Sequence, residues 1–494
     1  MKTTHLRLLA LVAGIAIFDF LFYLEAPGLN ALLLVPVILT LVRLSGRNPF
    51  GNRFLIISSA GLLLAGIAVS LYSSATSILA YFGTFVIFLG FSLEPELKSI
   101  LATMFQSGLN FFMAIPVFGS ELSEILKIKK MAPTAWKVMK LLLIPLILLF
   151  LFTTIYRFAN PVFDHWFYYL DLFFRSILEW LEKYLEIPHI IFLLFTAGLI
   201  SGIIYRGRHT TGRMIEEPQT DELTRWRKKR ARFGSYTLRM TALKDEYRIG
   251  IMLLFLMSGL LFLVNISEIV WISGSYLDRS AHEMSKQVHE GTGLLILSIF
   301  LSMVIMLFLF RKNLNFYPGK KKLISGSGIW ILLNGILGLQ VGIQNWFYIS
   351  QYGLTYKRIG VFFFLLLVLT GLALLWIKIS RKKTIWYLIK SNSWSFYVLF
   401  VLLSLIPWES IMVTYNLRKN APSVDVQNLL ELSPRTLYLL DERKELLFKA
   451  APERKESIEK SLNERIEDYM DWNNSLSWQS WSLSDRLAYL HFHK

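Results

Sequence analysis

The chain has 494 residues, 54% of them hydrophobic and 15% aromatic, with a formal charge of +17 and no cysteine. A mean hydropathy of +0.47 is too apolar for a water-soluble fold of this size, so a bilayer replaces water as solvent for most of the chain. The lack of cysteine excludes a disulfide framework, a thiolate metal site and a thiol nucleophile. Such a positive charge would suit nucleic acid in a soluble protein, but here Lys and Arg cluster where apolar runs end and act as an orientation signal, so no nucleic-acid partner is expected.

Apolar runs of about 20 residues, the length that crosses a bilayer core as a helix, predict an all-α polytopic transmembrane helical bundle of about 11 spans. In chain order they are Leu8–Leu24, Leu29–Val42, Phe54–Leu71, Ile78–Phe91, Leu141–Ile155, Ile190–Ile204, Ile251–Ile272, Leu294–Phe310, Ile329–Phe347, Val361–Ile377 and Phe396–Ile406. The first follows Lys2 and Arg7 in the manner of a signal peptide, but Leu24-Glu25-Ala26 is a poor cleavage site and the run is read as a retained span. A further run, Ile100–Phe118, carries Gln106, Ser107 and Asn110. Counted as a span, it would put Lys127, Lys129, Lys130 and Lys137 opposite every other basic loop; a re-entrant or surface-lying segment avoids this. The basic sets Arg43 to Arg53, Lys127 to Lys137, Arg206 to Arg248, Arg311 to Lys322 and Lys378 to Lys390 then share the cytoplasmic side, with the N-terminus inside and the C-terminus outside.

This organisation divides the chain into N-terminal transmembrane helices (1–93), a cytoplasmic or re-entrant segment (94–140) and two spans flanking an outer interfacial helix (141–205). A basic cytoplasmic loop (206–248), C-terminal transmembrane helices (249–412) and a helical extracytoplasmic tail (413–494) follow. From Asp164 to Glu186, acidic residues and Arg175 recur at three-, four- and seven-residue steps between apolar ones, an amphipathic pattern in which Asp171, Arg175 and Glu179 can pair at i,i+4. Arg225 to Arg230 can attract anionic headgroups at about 1 kcal/mol per basic residue, although a solvated linker gives the same pattern. In the tail, Ser433-Pro434 and Pro452-Glu453 are helix starts. Trp472, Trp478 and Trp481 near its end read as core and membrane anchor, or as an aromatic platform for sugar or lipid.

Ionisable groups within or bordering spans are costly unless paired or hydrated, which makes them candidates for function. Asp19, Glu268, His289, Glu290, Arg358 and Glu409 fall at one depth, toward the outer side, where they either assemble a polar pocket or cap separate helix ends. Tyr352, Gly353 and Thr355 precede Arg358: Gly353 permits a tight turn, Thr355 can cap the next span, and Arg358 can reach a phosphate or Glu290. Gln340 and Gln344, one turn apart, suit hydrogen bonds between helices. Neither a zincin, nucleophile-elbow nor phosphate-loop motif occurs, and neither a catalytic residue, a metal nor a cofactor is expected.

Three stretches resemble a family of bacterial polytopic membrane proteins known only as a domain of unknown function. They are His289-Glu290-Gly291 before a span, Tyr352-Gly353-Leu354-Thr355 with Arg358 following, and Ala159-Asn160-Pro161-Val162-Phe163, where Asn160 stands in place of the family's Asp. Trp478 to Ser484 is similar to a Trp-and-Ser pattern near the family's C-terminus. The resemblance runs from Pro133 to the C-terminus and implies a bacterial cytoplasmic-membrane protein. The expected function is non-enzymatic sensing, scaffolding or binding at the outer membrane face, with membrane lipids and an envelope protein as partners. Ion-coupled transport or lipid flipping, and an enzyme acting on a lipid-linked substrate, are the alternatives.

Overall fold

A computed structural model describes residues 3–125, 160–182, 186–207, 210–225, 242–273, 292–310, 313–418 and 424–493, with scattered positions between 145 and 158. The described chain is helical throughout, apart from an isolated bridge between Glu222 and Lys383. The first half contains α1 (Thr3–Phe22), α2 (Leu29–Leu44), α3 (Arg53–Tyr72), α4 (Ala75–Leu93), α5 (Ile100–Ile125), α6 (Pro161–Glu182), α7 (Ile187–Ile204) and α8 (Thr211–Glu216). In the second are α9 (Ala242–Ser273), α10 (Thr292–Leu309), α11 (Lys320–Tyr352), α12 (Tyr356–Ser380), α13 (Ile385–Ser404) and α14 (Trp408–Asn416).

Eight of the described helices, α1, α3, α4, α5, α7, α9, α11 and α12, are long and apolar enough to cross a membrane, with a ninth if α13 and α14, bent by 60°, form one span. The difference from about 11 spans has identifiable sources. α2 and α10 are shorter apolar helices, the 141–155 run lies largely outside the described residues, and α5, expected to be re-entrant or surface-lying, is long and apolar enough to cross.

Local chemistry sets the helix boundaries. Asn52 caps α3 by accepting from the Phe54 and Leu55 N–H groups, both at 2.9 Å. Ser74 and Thr384 accept N–H bonds at the starts of α4 and α13. α6 begins with Asn160 accepting from Val162 and Phe163 and Pro161 in the first turn, so Asn160 does the capping that an Asp would also do. Asp164 and Asp171 pair with Arg157, at 2.7 and 2.8 Å.

The outer surface, unlike that of a soluble protein, is as apolar as the interior. Val12, Leu79, Phe255, Leu263, Leu294 and Leu332 are exposed, as lipid contact requires, while small or polar residues such as Ser58, Gly61, Ala65 and Ser70 of α3 are buried between helices. One core joins α1 to α5 with α7; another joins α9 to α12. α13 is the seam between them: Tyr397 and Val401 enter the first core, Trp394 stacks on Phe54 and Phe91, and its indole N–H donates to the Lys98 carbonyl at 2.9 Å.

The tail forms its own core around Leu429, Leu437, Leu447, Ile458 and Leu462, continuous with Met412 and Val413 of α14. Both predicted helix starts are present, as short 3-10 turns at Pro434–Thr436 and Pro452–Arg454 that lead into α-helices. Its last segment returns to the first helical hairpin. Leu29 N–H donates to the Trp481 carbonyl at 2.8 Å, and Glu25 accepts from the Ser477 N–H and the Ser480 hydroxyl. At Gly28 a Cβ would lie 2.4 Å from the Ser480 carbonyl oxygen, so only glycine admits this approach.

Candidate functional site

The residues singled out at the predicted outer level divide into two groups. In the first half, the Asp19 carboxylate of α1 meets His189 Nε2 of α7 at 2.8 Å; the imidazole stacks on Tyr23 with ring centroids 3.9 Å apart. In the second half, Glu268 of α9 accepts from the Gln344 amide of α11, and one turn away the Gln340 amide donates to the Asn265 carbonyl at 3.1 Å. Both glutamines therefore join helices. Glu409 of α14 accepts from the Tyr356 hydroxyl at 2.9 Å.

Arg358 is held at the turn between α11 and α12. Gly353 ends α11 at φ +79, a left-handed conformation that favours glycine, and exposes carbonyls that would otherwise stay in the helix. Arg358 donates to the carbonyls of Tyr352, at 2.6 Å, and Gly353, and its guanidinium lies 4.5 Å over the Tyr348 ring. Thr355 occupies the cap position with extended backbone, but its side chain makes no capping bond. Asn345 donates to the Arg358 carbonyl at 3.0 Å.

Beside this turn lies a cavity of about 530 Å³ lined by Asn345, Thr355, Lys357 and Arg358 from the bundle and by Asp425 and Asn428 from the tail. Of the predicted set, Thr355 and Arg358 line it, whereas Asp19, Glu268 and Glu409 are satisfied by His189, Gln344 and Tyr356. His289 and Glu290 lie outside the described residues. The tail tryptophans Trp472, Trp478 and Trp481 are 39%, 57% and 40% exposed, so they stand around the tail core and not within it. Trp478 packs against Phe20, and Trp472 lies under the Arg435 guanidinium.

At the opposite end, where the basic loops meet, a polar cluster escapes sequence reading. Glu94, fully buried just past α4, accepts from Arg206 and from Arg213, the latter at 2.6 Å, and this hydrogen bond raises the Arg213 guanidinium above its ordinary value. Arg47 donates to Ser45, Ser92 and the Ile203 carbonyl; burial, then the neighbouring charges of Arg206 and Arg7, push it down to about 10. Glu216 accepts from the Lys98 and Ser99 N–H groups ahead of α5. Gln106 accepts from Gly212, and Asn110 bonds the backbone of Gly202, Tyr205 and Gly207. The polar residues that set 100–118 apart in the sequence thus tie α5 to the chain leaving α7.

An all-helical bundle with lipid-facing apolar walls, internal amides and a basic end defines a multi-pass integral membrane protein. A sequence profile described as domain of unknown function (DUF4153) matches residues 57–442, and the chain belongs to that family. The match begins well before Pro133, taking in α3 to α5, and stops at 442, leaving the Trp478 to Ser484 segment outside. No curated protein and no solved structure matches the chain.

Proposed function

We propose that this protein is a non-enzymatic binding and sensing protein of the bacterial cytoplasmic membrane that takes an anionic group, such as a lipid headgroup, into the Arg358 cavity. The observation that carries this reading is that one cavity has walls from both bundle and tail, Arg358 and Lys357 on one side and Asp425 and Asn428 on the other. An occupant there changes the free energy of tail docking, which is what a sensor needs. The Arg358 Nε and NH2 groups make no hydrogen bond among the described residues and are available to an anion. In this reading the basic loops are cytoplasmic, the tail presents its surface and tryptophans to an envelope partner outside, and α6 lies amphipathically at the outer interface.

Hydrogen exchange over 424–442, measured in nanodiscs of phosphatidylglycerol and of phosphatidylcholine, tests the reading. Slower exchange in the anionic lipid is expected, and it should disappear in Arg358→Ala. Equal exchange in both lipids rejects it. A second reading, ion-coupled transport, draws on the 60° break between α13 and α14, since broken helices build transporter sites. It requires solute or lipid movement in sealed vesicles that does not depend on the tail.

A further inference from the structure

Lys378, near the end of α12, is only 1% exposed, yet no carboxylate among the described residues pairs with it. Its ammonium donates to the Phe310 carbonyl at 2.7 Å, the one bond it makes among the described residues. The stretches 226–241, 311–322 and 379–396 contain no Asp or Glu, so they cannot provide a carboxylate. The two acids of the 218–223 segment that lines this region are taken: Asp221 by Lys390 at 2.6 Å, and Glu222 by Lys383 at 3.1 Å. An ammonium buried against a single neutral acceptor is costly, and an anion within reach offsets that cost.

There is space for one. A cavity of about 290 Å³ lies between the 218–223 segment and the α12–α13 junction, lined by Lys378 and its acceptor residue Phe310, and also by Gln219 and Trp386. The Gln219 backbone N–H bonds to the Glu216 carbonyl, but neither its side-chain amide nor the Trp386 indole N–H makes a hydrogen bond among the described residues, although both are donors. The cavity therefore gathers an ammonium, an amide and an indole, all able to donate. Lysine serves as a compact point charge for phosphate.

We infer that the Lys378 cavity, at the basic end of the bundle, is a binding site for a phosphate-bearing anion, separate from the Arg358 cavity. Lys378 supplies the charge, and Gln219 and Trp386 supply neutral donors. An anionic lipid headgroup and a free phosphate present the same chemistry to it.

The test is thermal unfolding of the full-length detergent-solubilised protein, with phosphatidic acid, phosphatidylcholine or inorganic phosphate added. Wild-type protein should gain a few degrees from phosphatidic acid or from inorganic phosphate and none from phosphatidylcholine. A gain with inorganic phosphate identifies a soluble ligand, and a gain with phosphatidic acid alone identifies a headgroup. Lys378→Met, which keeps length but removes a lone buried charge, should fold at least as well and lose the gain. Trp386→Phe, which keeps the ring and removes one donor, should reduce it and stands in if the Met variant does not fold. Non-specific attraction to a chain of charge +17 would survive in both variants. No gain in wild type, or an undiminished gain in the variants, overturns the inference.

Discussion

Asn416 clasps Leu354 in both directions, accepting from its N–H at 2.6 Å and donating to its carbonyl at 2.8 Å. The clasp joins the last residue of α14, where the tail begins, to the turn that holds Arg358. Asn416 is 5% exposed, so truncating it leaves backbone polar groups without partners. Asn416→Ala should cost about 2 kcal/mol in thermal stability, and Asn416→Asp, which keeps the acceptor, about half as much. Faster proteolysis after residue 416 should accompany the loss; an unchanged melting curve and cleavage rate would mean that the clasp does not anchor the tail.

Glu94 is the only carboxylate that Arg206 engages in the described chain, and it anchors Arg213 as well. Glu94→Gln removes the charge and leaves two guanidiniums facing an amide. A drop in melting midpoint on the order of 5 °C is expected, with increased cleavage between α7 and α8. Since the cluster lies at the other end of the bundle from Arg358, exchange in the tail should not change.

The pairing of Asp19 with His189 joins α1 to α7 across 170 positions. A double-mutant cycle with Asp19→Asn and His189→Leu should give a coupling of about 1 kcal/mol, in the range of polar contacts between membrane helices. Additive single effects would show that the pair is not coupled.

The tail has a carboxylate whose titration can be followed. Burial works to raise Asp441, but hydrogen bonds from His491, at 2.8 Å, and from Lys444 outweigh it and hold the carboxyl below its ordinary value of 3.8. Because the folded value is the lower one, Asp441 contributes stability above about pH 4 that is lost as pH falls through the folded value. Tail proteolysis should therefore accelerate more steeply below about pH 4 in wild type than in Asp441→Asn, where that contribution is already gone.

The sequence reveals features that depend on local pattern: apolar run length marked the helices, Ser433 and Pro452 marked starts, and the basic loops marked one end. Gln340 and Gln344 were legible as interhelical partners because their spacing puts them on one helix face. What it withheld were pairings across long separations. Nothing around His189 distinguishes it from an interfacial histidine until α1 lies beside α7. Glu94, followed by Pro95 and Glu96, looks like an ordinary polar helix end, and its burial is set by Arg206 and Arg213, more than 100 positions away. Lys378 reads as one more orientation charge because it sits one turn from Arg381; its burial and its bond to the Phe310 carbonyl arise only when α12 packs beside the end of α10.

The return of Trp481 and Ser480 to the first hairpin also governs how the protein can be made. The Leu29 N–H and the Glu25 carboxylate acquire these partners only after residue 481 has been synthesised, more than 450 positions later in the chain. A product interrupted before that point leaves the Leu29 N–H and the Glu25 carboxylate without the partners that the tail supplies.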